Sequence, residues 1–202
     1  MESNMYEYER ELAGEKRPFC GVDEAGRGPL AGPVCAAAVI LPEGLEIPGL
    51  NDSKKLSEKK REELFDLICE QAESFAIAFA TVEEIEELNI KGATYLAMAR
   101  AIEELEPKPV LALVDGNDKN ALPIEAIKVV KGDQRCASIA AASILAKVSR
   151  DRWMLTLAEE YPQYGFEKHK GYGTKVHYAA LEEYGPSPIH RMSFLKKFYG
   201  TK

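Results

Sequence analysis

The 202-residue chain has few cysteines, no long apolar run and no excess of basic charge, and each scarcity excludes a class of protein. Its four cysteines contain no C-x-x-C pair, which argues against a zinc or disulfide scaffold and favours reduced, mostly buried thiols. The longest purely apolar run, 34–41, is far shorter than the roughly 18 residues that span a bilayer. The first ten residues lack a secretory apolar stretch, so we expect a cytoplasmic protein without a membrane anchor.

The charge of the chain is unevenly distributed. The 26 Lys and Arg against 33 Asp and Glu give a net charge of −7, which excludes a histone-like protein that binds nucleic acid by bulk charge. Residues 168–202 carry seven basic and two acidic side chains, whereas residues 1–167 carry 19 basic and 31 acidic ones. The basic C-terminal segment is therefore compatible with a polyanionic partner at one surface.

Short apolar runs alternate with amphipathic segments, and this pattern predicts a mixed α/β sheet covered by helices in a single domain, 1–202. Strands are predicted at 19–22, 34–41, 75–81, 110–114 and 127–130. Helices are predicted at 57–68, 91–105 and 137–160, with a short helix after the capping-box pattern 81–84. In the long helix, Ile144, Val148 and Leu155 share an apolar face and Arg150 has a polar position. The chain after residue 160 is predicted to be helical with loops.

Four carboxylates, Asp23, Glu24, Asp115 and Asp133, stand at the ends of predicted strands rather than on solvated helix faces. Carboxylates gathered at the edge of a core raise one another's pKa unless a cation lies between them. Oxygen ligands alone favour Mg²⁺ or Mn²⁺, because zinc and copper prefer nitrogen or sulfur. Two such ions about 3.5–4 Å apart would support hydrolysis of a phosphodiester. For any single Asp, the capping of a turn or helix is the alternative interpretation.

The Gly26-Arg27-Gly28 segment follows the first acidic pair directly. Glycines let the backbone approach a ligand closely, and the Arg27 guanidinium can bind a phosphate oxygen. A G-x-G pattern alone is weak support for a ligand site. The chain has neither a Gly-Lys-Ser/Thr phosphate loop nor a G-x-G-x-x-G pattern after a strand, which argues against nucleoside triphosphate and NAD chemistry.

Seven sequence blocks, taken in order, resemble those of the type 2 ribonucleases H. The first and most specific is GVDEAGRGPLAGPV at 21–34; the others lie at 52–56, 114–116, 131–133, 142–151, 169–174 and 190–194. Together they cover about 19–194, nearly the whole chain. The Gly-Tyr-Gly-Thr form at 171–174 is similar to bacterial ribonuclease HII, and the absence of an extra N-terminal domain separates the sequence from ribonuclease HIII.

The resemblance implies a ribonuclease H-like fold, a five-stranded mixed sheet flanked by helices. The catalytic core would span about 17–160, and a helical C-terminal part at about 161–202 would contribute to substrate binding. The implied activity is Mg²⁺- or Mn²⁺-dependent endonucleolytic cleavage of RNA in RNA–DNA hybrids. It includes incision 5′ to a ribonucleotide embedded in duplex DNA, leaving 5′-phosphate and 3′-hydroxyl ends. Ribonucleotide excision repair and RNA primer removal are the implied processes.

Matching motif positions assign residues to this chemistry. The catalytic metal site would consist of Asp23, Glu24, Asp115 and Asp133. Gly26-Arg27-Gly28 would contact the backbone around the ribonucleotide, with main-chain groups meeting the 2′-hydroxyl that distinguishes RNA from DNA. Tyr172 would pack on the following deoxyribose, where an extra hydroxyl would crowd its ring. The alternative for Tyr172 is an ordinary packed aromatic in a turn.

Further substrate contacts are expected from Lys54, Lys55, Ser143, Lys147, Lys170 and Arg191. The cationic side chains among them would position the duplex through its phosphates without reading bases. Each can also be a solvated surface charge, and Lys147 can pair with Asp151 one helical turn later. Ser143 can instead be a small residue at a helix–sheet contact. His169 and His177 flank Tyr172, and we favour polar packing or phosphate contact for them over a metal pair.

Two alternative functions remain at this point. Another metal-dependent nuclease of the same fold, such as a type 1 ribonuclease H or an exonuclease, is opposed by the Gly-Arg-Gly and Gly-Tyr-Gly-Thr blocks. The second alternative is a non-catalytic RNA–DNA-binding module in which the four carboxylates are structural. Such a module would bind the substrate without cleaving it. We expect a monomer, because no heptad or repeat is present, with RNA–DNA hybrids and ribonucleotide-containing duplexes as partners. A replication or repair protein stays open as a further partner.

Overall fold

Five strands form one mixed sheet in the computed structural model, which describes residues 4–50, 53, 56–118 and 120–200. The strands are β1 (Phe19–Ala25), β2 (Val34–Ile40), β3 (Ser74–Ala80), β4 (Leu111–Asp115) and β5 (Glu125–Val129). The helices are α1 (Met5–Ala13), α2 (Glu58–Gln71), α3 (Val82–Glu104), α4 (Ala137–Glu160), α5 (Phe166–His169), α6 (Lys175–Tyr184) and α7 (Met192–Tyr199). Each predicted strand is confirmed within a few residues, and α4 has the predicted bounds.

The order of the strands is β3-β2-β1-β4-β5. The pairs β1–β2 and β2–β3 are antiparallel, whereas β1–β4 and β4–β5 are parallel, which confirms the mixed sheet. In the parallel pair, Val22 lies opposite Val114, so the next residues along the two strands, Asp23 and Asp115, are neighbours at the carboxyl end of this pairing. The topology therefore brings two of the four predicted carboxylates to one edge.

The core has one layer on each face of the sheet, and β2 lies between the two layers. Every residue of β2 is buried. Its alternating side chains divide between the faces: Ala36 and Ala38 pack toward α3, and Ala37 and Val39 pack toward α2 and α4. Small side chains on both faces of this strand let α3 and α4 approach the sheet closely.

Helix α4 lies across β1 because Gly21 has no side chain. A Cβ at Gly21 would stand 2.1 Å from the Ser138 carbonyl carbon, a distance that no real side chain could accept. The first turn of α4 is capped by α1, since a Glu9 carboxylate oxygen accepts hydrogen bonds from Ser138 N at 2.8 Å and Ser138 Oγ at 2.7 Å. This close packing fixes the distance between α4 and β1.

Two helical features differ from the predictions. Helix α1 was not predicted, although Asn4 and Glu7 form a reciprocal capping box that a sequence pattern can indicate. The short helix after Thr81 and the predicted helix 91–105 form one element, α3, with a break at Asn89 (φ 58°). The Asn89 side-chain oxygen accepts from the N–H groups of Lys91 and Gly92, so it caps the second segment.

The predicted faces of α4 are correct for Ile144 and Val148, which are buried, and wrong for two later residues. Leu155 is 41% exposed, whereas Arg150 is only 1% exposed. The reason is that α4 extends beyond the sheet, and its distal part packs Met154 into a separate cluster with the C-terminal helices. That cluster covers a different side of the helix from the side that the sheet covers.

The structure also bears on the thiols and on membrane insertion. The four cysteines are free; Cys20, Cys35 and Cys136 are buried and Cys69 is half-buried, as predicted. Within the described ranges, the structure contains no helix with the length and apolar character needed to cross a bilayer.

Candidate active site

The four predicted carboxylates lie at the carboxyl ends of adjacent parallel strands or just beyond them. Asp23 and Glu24 belong to the end of β1, and Asp115 is the last residue of β4. Asp133 lies in a 3₁₀ turn, Gly132–Gln134, directly after β5. Asp23 and Asp133 are buried, whereas Glu24 and Asp115 are partly exposed. The sheet thus gathers the carboxylates at the edge where parallel-sheet proteins commonly bind ligands.

Asp23 has the most perturbed environment of this group. Burial, then the nearby Glu24 and Asp115 carboxylates, raise the pKa of Asp23 well above its ordinary value of 3.8. Two hydrogen bonds oppose the shift: one from the Ser143 hydroxyl, and one from the Glu24 N–H to Asp23 Oδ1 at 2.8 Å. Ser143 is buried and also bonds Ser53 Oγ at 2.9 Å. Ser143 therefore supports a carboxylate from within the protein and also lines the neighbouring cleft, and its direct contact with substrate stays a prediction.

The donor set fits an oxygen-preferring divalent ion. Like charges that raise the pKa of a buried carboxylate would be relieved by a bound cation, and Mg²⁺ or Mn²⁺ prefers oxygen ligands. Within residues 4–50, 53, 56–118 and 120–200, however, no three His, Cys, Asp or Glu side chains form a ready-made metal site. Asp115 Oδ1 accepts from Gly132 N–H at 2.6 Å, and Glu24 Oε1 lies 3.4 Å from Arg27 Nη1.

A cleft of about 210 Å³ brings the predicted substrate residues together beside the carboxylates. It is lined by Glu24 and by the predicted residues Gly26, Arg27, Gly28, Ser143, Lys147 and Tyr172. Tyr172 is 45% exposed, and its Cε1 lies 3.6 Å from where a Cβ of Gly28 would stand. Segments almost 150 residues apart in sequence therefore form one wall. A larger cavity, of about 390 Å³, lies beside α1 and includes none of the predicted site residues.

Two buried arginines fix the loop between β1 and β2 through its main chain. Arg150 donates from Nε to Pro33 O, from Nη2 to Ala31 O and from Nη1 to Lys170 O, at 3.0–3.1 Å. It therefore joins the Gly-Arg-Gly loop to the segment that carries Tyr172. Sequence reasoning missed this role, and the one available signal was the place of Arg150 in the 142–151 block.

Arg191 holds both ends of the same loop, and this position corrects a prediction. Its Nη2 donates to Gly26 O at 2.7 Å, its Nη1 to Arg27 O at 3.0 Å and its Nε to Gly32 O at 2.9 Å. The residue is 0% exposed, so the guanidinium cannot contact a phosphate as predicted. Arg191 can therefore influence substrate binding only indirectly, by fixing the main chain of Gly26-Arg27-Gly28.

The predicted lysines have different positions. Lys147 lines the cleft, and its ammonium pairs with Asp151 at 2.7 Å, the helical partner that sequence spacing offered as the alternative. Lys170 folds back so that its Nζ donates to the Glu167 carbonyl. Lys54 and Lys55 lie outside the described residues.

Asp118, in the loop after β4, is a member of the site that sequence reasoning missed. Its carboxylate lies 3.4 Å from Arg27 Nη2 and 3.0 Å from Lys91 Nζ. Lys91 and then Arg27 lower the pKa of Asp118. Arg27 is therefore shared between Asp118 and Glu24, and it is 43% exposed at its side chain, open to a further anion. Nothing in the local sequence, Gly-Asn-Asp, distinguishes Asp118 from a turn residue.

Comparison with known proteins agrees with this arrangement. The family model for ribonuclease HII matches residues 20–197. The ribonuclease HII of Dechloromonas aromatica is 62% identical over 175 residues, which cover 87% of this chain and 89% of that protein. This chain belongs to the ribonuclease HII family. The ribonuclease HII of Endomicrobium trichonymphae is 55% identical over 196 residues, covering 96% and 93% of the two chains.

Solved structures agree with the family at the level of the fold. The ribonuclease H2 of Pyrococcus horikoshii superposes with a TM-score of 0.72 at 27% identity, covering 91% of this chain and 99% of that one. The ribonuclease HII of Archaeoglobus fulgidus, solved in a complex with PCNA, gives 0.69 at 27% identity over 86% and 93%. The ribonuclease H-like fold is thereby confirmed. Ribonuclease HII is a metal-dependent endoribonuclease that acts on RNA–DNA hybrids. The roles of individual residues remain predictions.

Proposed function

We propose that this ribonuclease HII cleaves the RNA strand of hybrids and also incises 5′ to a single ribonucleotide embedded in duplex DNA. The products would carry 5′-phosphate and 3′-hydroxyl ends. The observation that carries the proposal is the approach of Gly28 to the Tyr172 ring beside the carboxylate edge. A site that cuts at one sugar needs a 2′-hydroxyl contact and a contact to the neighbouring sugar within one cleft, and these two groups supply them.

The Gly-Arg-Gly loop would supply the 2′-hydroxyl contact. Gly26 has φ 94°, and a Cβ there would stand 1.9 Å from Arg150 Nε, so the main chain lies where only glycine fits. Gly28 is exposed, and its lack of a side chain leaves the backbone open to a sugar. Arg27 would leave its two carboxylate neighbours for a phosphate, which it can bind through two N–H groups. The exposed Tyr172 ring would then rest on the next deoxyribose.

The metal ions would be Mg²⁺ or Mn²⁺, held by Asp23, Glu24, Asp115 and Asp133. Bound divalent ions supply an activated water and stabilise the leaving oxygen of a phosphodiester. The chain prepares this site by holding two of the carboxylates: Ser143 and the Glu24 N–H fix Asp23, and the Gly132 N–H fixes Asp115. Arg27 beside Glu24 lies where it would orient the phosphate toward these groups.

The biological role that fits this cleavage is RNA primer removal and ribonucleotide excision repair by a cytoplasmic monomer. A cut that leaves a 3′-hydroxyl gives a polymerase an end to extend, which supports a place in repair. Exposed Lys168, Lys175, Lys196 and Lys197 support binding of the duplex by the C-terminal part. The related Archaeoglobus protein occurs in a complex with PCNA, which supports a replication protein as a further partner. Sedimentation of the protein alone tests the monomer.

One experiment tests the cleavage directly. The protein is incubated with duplex DNA containing one ribonucleotide and with a uniform RNA–DNA hybrid, each with Mg²⁺, Mn²⁺ or EDTA, and the cuts are mapped. We expect a metal-dependent cut 5′ to the single ribonucleotide that is lost in Asp115→Asn. Binding without any cut would favour the non-catalytic module, and products released stepwise from an end would favour an exonuclease. A cut that persists in Asp115→Asn would overturn the assigned metal site.

A further inference from the structure

The chain has three histidines, and all of them surround the segment that carries Tyr172. The rings of His169 and His177 stack with centroids 4.6 Å apart and 14° between planes. His177 Nε2 lies 3.0 Å from His190 Nε2. His177 and His190 come from α6 and from the chain before α7, and both are buried. None of the three is needed for the metal site or for phosphate contact as described above.

The hydrogen bonds between these rings have only one consistent direction. The Ser187 main-chain N–H donates to His190 Nδ1 at 2.9 Å, so that nitrogen carries no proton. In the neutral ring the proton is then on His190 Nε2, which donates to His177 Nε2. His177 must carry its own proton on Nδ1, which donates to the Tyr172 carbonyl at 2.9 Å. A chain of donors thus runs from Ser187 to the main chain of Tyr172.

The environment of the His177 and His190 rings favours their neutral forms, which this series of hydrogen bonds requires. Burial lowers the pKa of His177, and burial together with His177 lowers the pKa of His190 to about 4. A protonated His190 Nδ1 could no longer accept from the Ser187 N–H and would place two N–H groups against each other. At neutral pH the donor and the acceptor in each of these hydrogen bonds are therefore fixed.

His169 holds the residue before Tyr172, which is Gly171. The Gly171 N–H donates to His169 Nδ1 at 3.2 Å, while His169 Nε2 bonds the Tyr164 carbonyl at 2.9 Å. The Gly171 carbonyl accepts from Leu30 N–H at 2.8 Å, which joins this segment to the Gly-Arg-Gly loop. The Tyr172 ring projects into the cleft, so the place of the ring depends on these main-chain anchors.

We propose that His177, oriented by His190, is a positioning residue that sets the Tyr172 ring at the junction after the ribonucleotide. The inference rests on the proposed role of Tyr172 in the cleft. His177 acts on the carbonyl, which also accepts from Thr174 N–H at 2.8 Å, and so fixes the orientation of the peptide that bears the ring. Neither histidine touches the substrate or the reacting atoms in this scheme.

The test uses two variants of His177, one that keeps an aromatic ring and one that keeps the hydrogen-bond donor. His177→Phe keeps an aromatic ring and removes both hydrogen bonds, whereas His177→Asn keeps an amide donor near the position of Nδ1. Tyr164→Phe is the matched control, because it removes a hydrogen bond to Gly185 O from the same cluster without touching the Tyr172 peptide. Cleavage by each variant is measured on duplex DNA with one ribonucleotide and on a uniform RNA–DNA hybrid.

We expect His177→Phe to lower kcat/KM on the single-ribonucleotide duplex about tenfold more than on the hybrid, because misplacement by about 1 Å can cost up to ~10²-fold. His177→Asn should recover most of that loss, and Tyr164→Phe should affect both substrates equally. In a Tyr172→Ala background, His177→Phe should cause no further loss specific to the junction. An equal loss on both substrates, or a junction-specific loss that persists without Tyr172, would overturn the proposal.

A measurement without substrate separates this proposal from the proposed function. Amide hydrogen exchange over 170–174 should increase in His177→Phe and remain near the parent rate in His177→Asn and Tyr164→Phe. Unchanged exchange in His177→Phe would contradict the positioning role, whatever the activity. A parent protein that fails to cut at a single ribonucleotide would instead contradict the proposed function, and hydrogen exchange would still report on His177.

Discussion

Arg150 occupies the space that a side chain at Gly26 would need. A Cβ at Gly26 would stand 1.9 Å from Arg150 Nε and 2.3 Å from its Cδ, and the φ of Gly26 is 94°. The arginine cannot withdraw without cost, because the same Nε donates to Pro33 O. A buried cation from α4 and a glycine from the loop after β1 therefore define together where the Gly-Arg-Gly segment lies.

The first prediction concerns Gly26→Ala. The substitution adds backbone strain at positive φ and a clash with Arg150, so we expect cleavage to fall by at least about tenfold and the free energy of unfolding to fall by about 2 kcal/mol or more. Gly44→Ala is the control, since Gly44 has φ 78° and a Cβ there meets no atom within 4 Å. Urea unfolding and single-turnover cleavage measure both effects. Equal behaviour of the two variants would mean that Arg150 does not constrain the loop.

The second prediction distinguishes Arg191 from Arg27 by the salt dependence of binding. Arg191→Met removes three donors from main-chain carbonyls, so affinity for a hybrid and stability should both fall. Because Arg191 is buried, the slope of log K against log salt concentration should stay unchanged. Arg27→Ala should reduce that slope by about one, as expected for a lost phosphate contact. A reduced slope in Arg191→Met would restore its predicted phosphate contact.

Sequence patterns are sufficient for the sheet and for the location of the site, for physical reasons. An apolar run that ends in Asp, as at Asp115, places a carboxylate where a buried strand meets solvent. Parallel pairing then brings Asp23 to the same edge. The Gly-Arg-Gly and Gly-Tyr-Gly patterns likewise locate the two segments that meet in one wall of the cleft.

The roles of the two buried arginines are beyond such patterns. Arg150 and Arg191 look like ordinary helix or loop charges, and only the folded chain shows six main-chain bonds between them and neighbouring loops. Burial of an arginine depends on carbonyl groups from distant segments, which no local periodicity encodes. The same holds for Leu155, whose exposure depends on where the sheet ends beneath α4.

The third prediction concerns Asp23 in the absence of metal. Burial and then the nearby Glu24 and Asp115 raise the pKa of Asp23, so the folded protein destabilises its ionised form. Asp23→Asn should therefore abolish cleavage yet raise Tm by a few degrees in EDTA, because the amide oxygen can still accept from Ser143 and Glu24 N–H. Added Mn²⁺ should stabilise the parent and not the variant. A lower Tm for Asp23→Asn in EDTA would contradict this account.

The last prediction is a dependence of stability on pH that arises from His190. Burial, followed by the nearby His177, lowers the pKa of His190 from 6.5 to about 4, so between these values the unfolded chain binds more protons than the folded one. Its contribution is complete above pH 6.5 and is lost as the pH falls toward 4, by about 1–2 kcal/mol between pH 7 and 5. Urea unfolding across this range measures the slope. His190→Gln keeps a donor toward His177 and does not titrate, so it should remove that part of the slope, while His177 and the carboxylates still contribute in both proteins. An identical slope in parent and variant would show that His190 does not have to be neutral in the folded state.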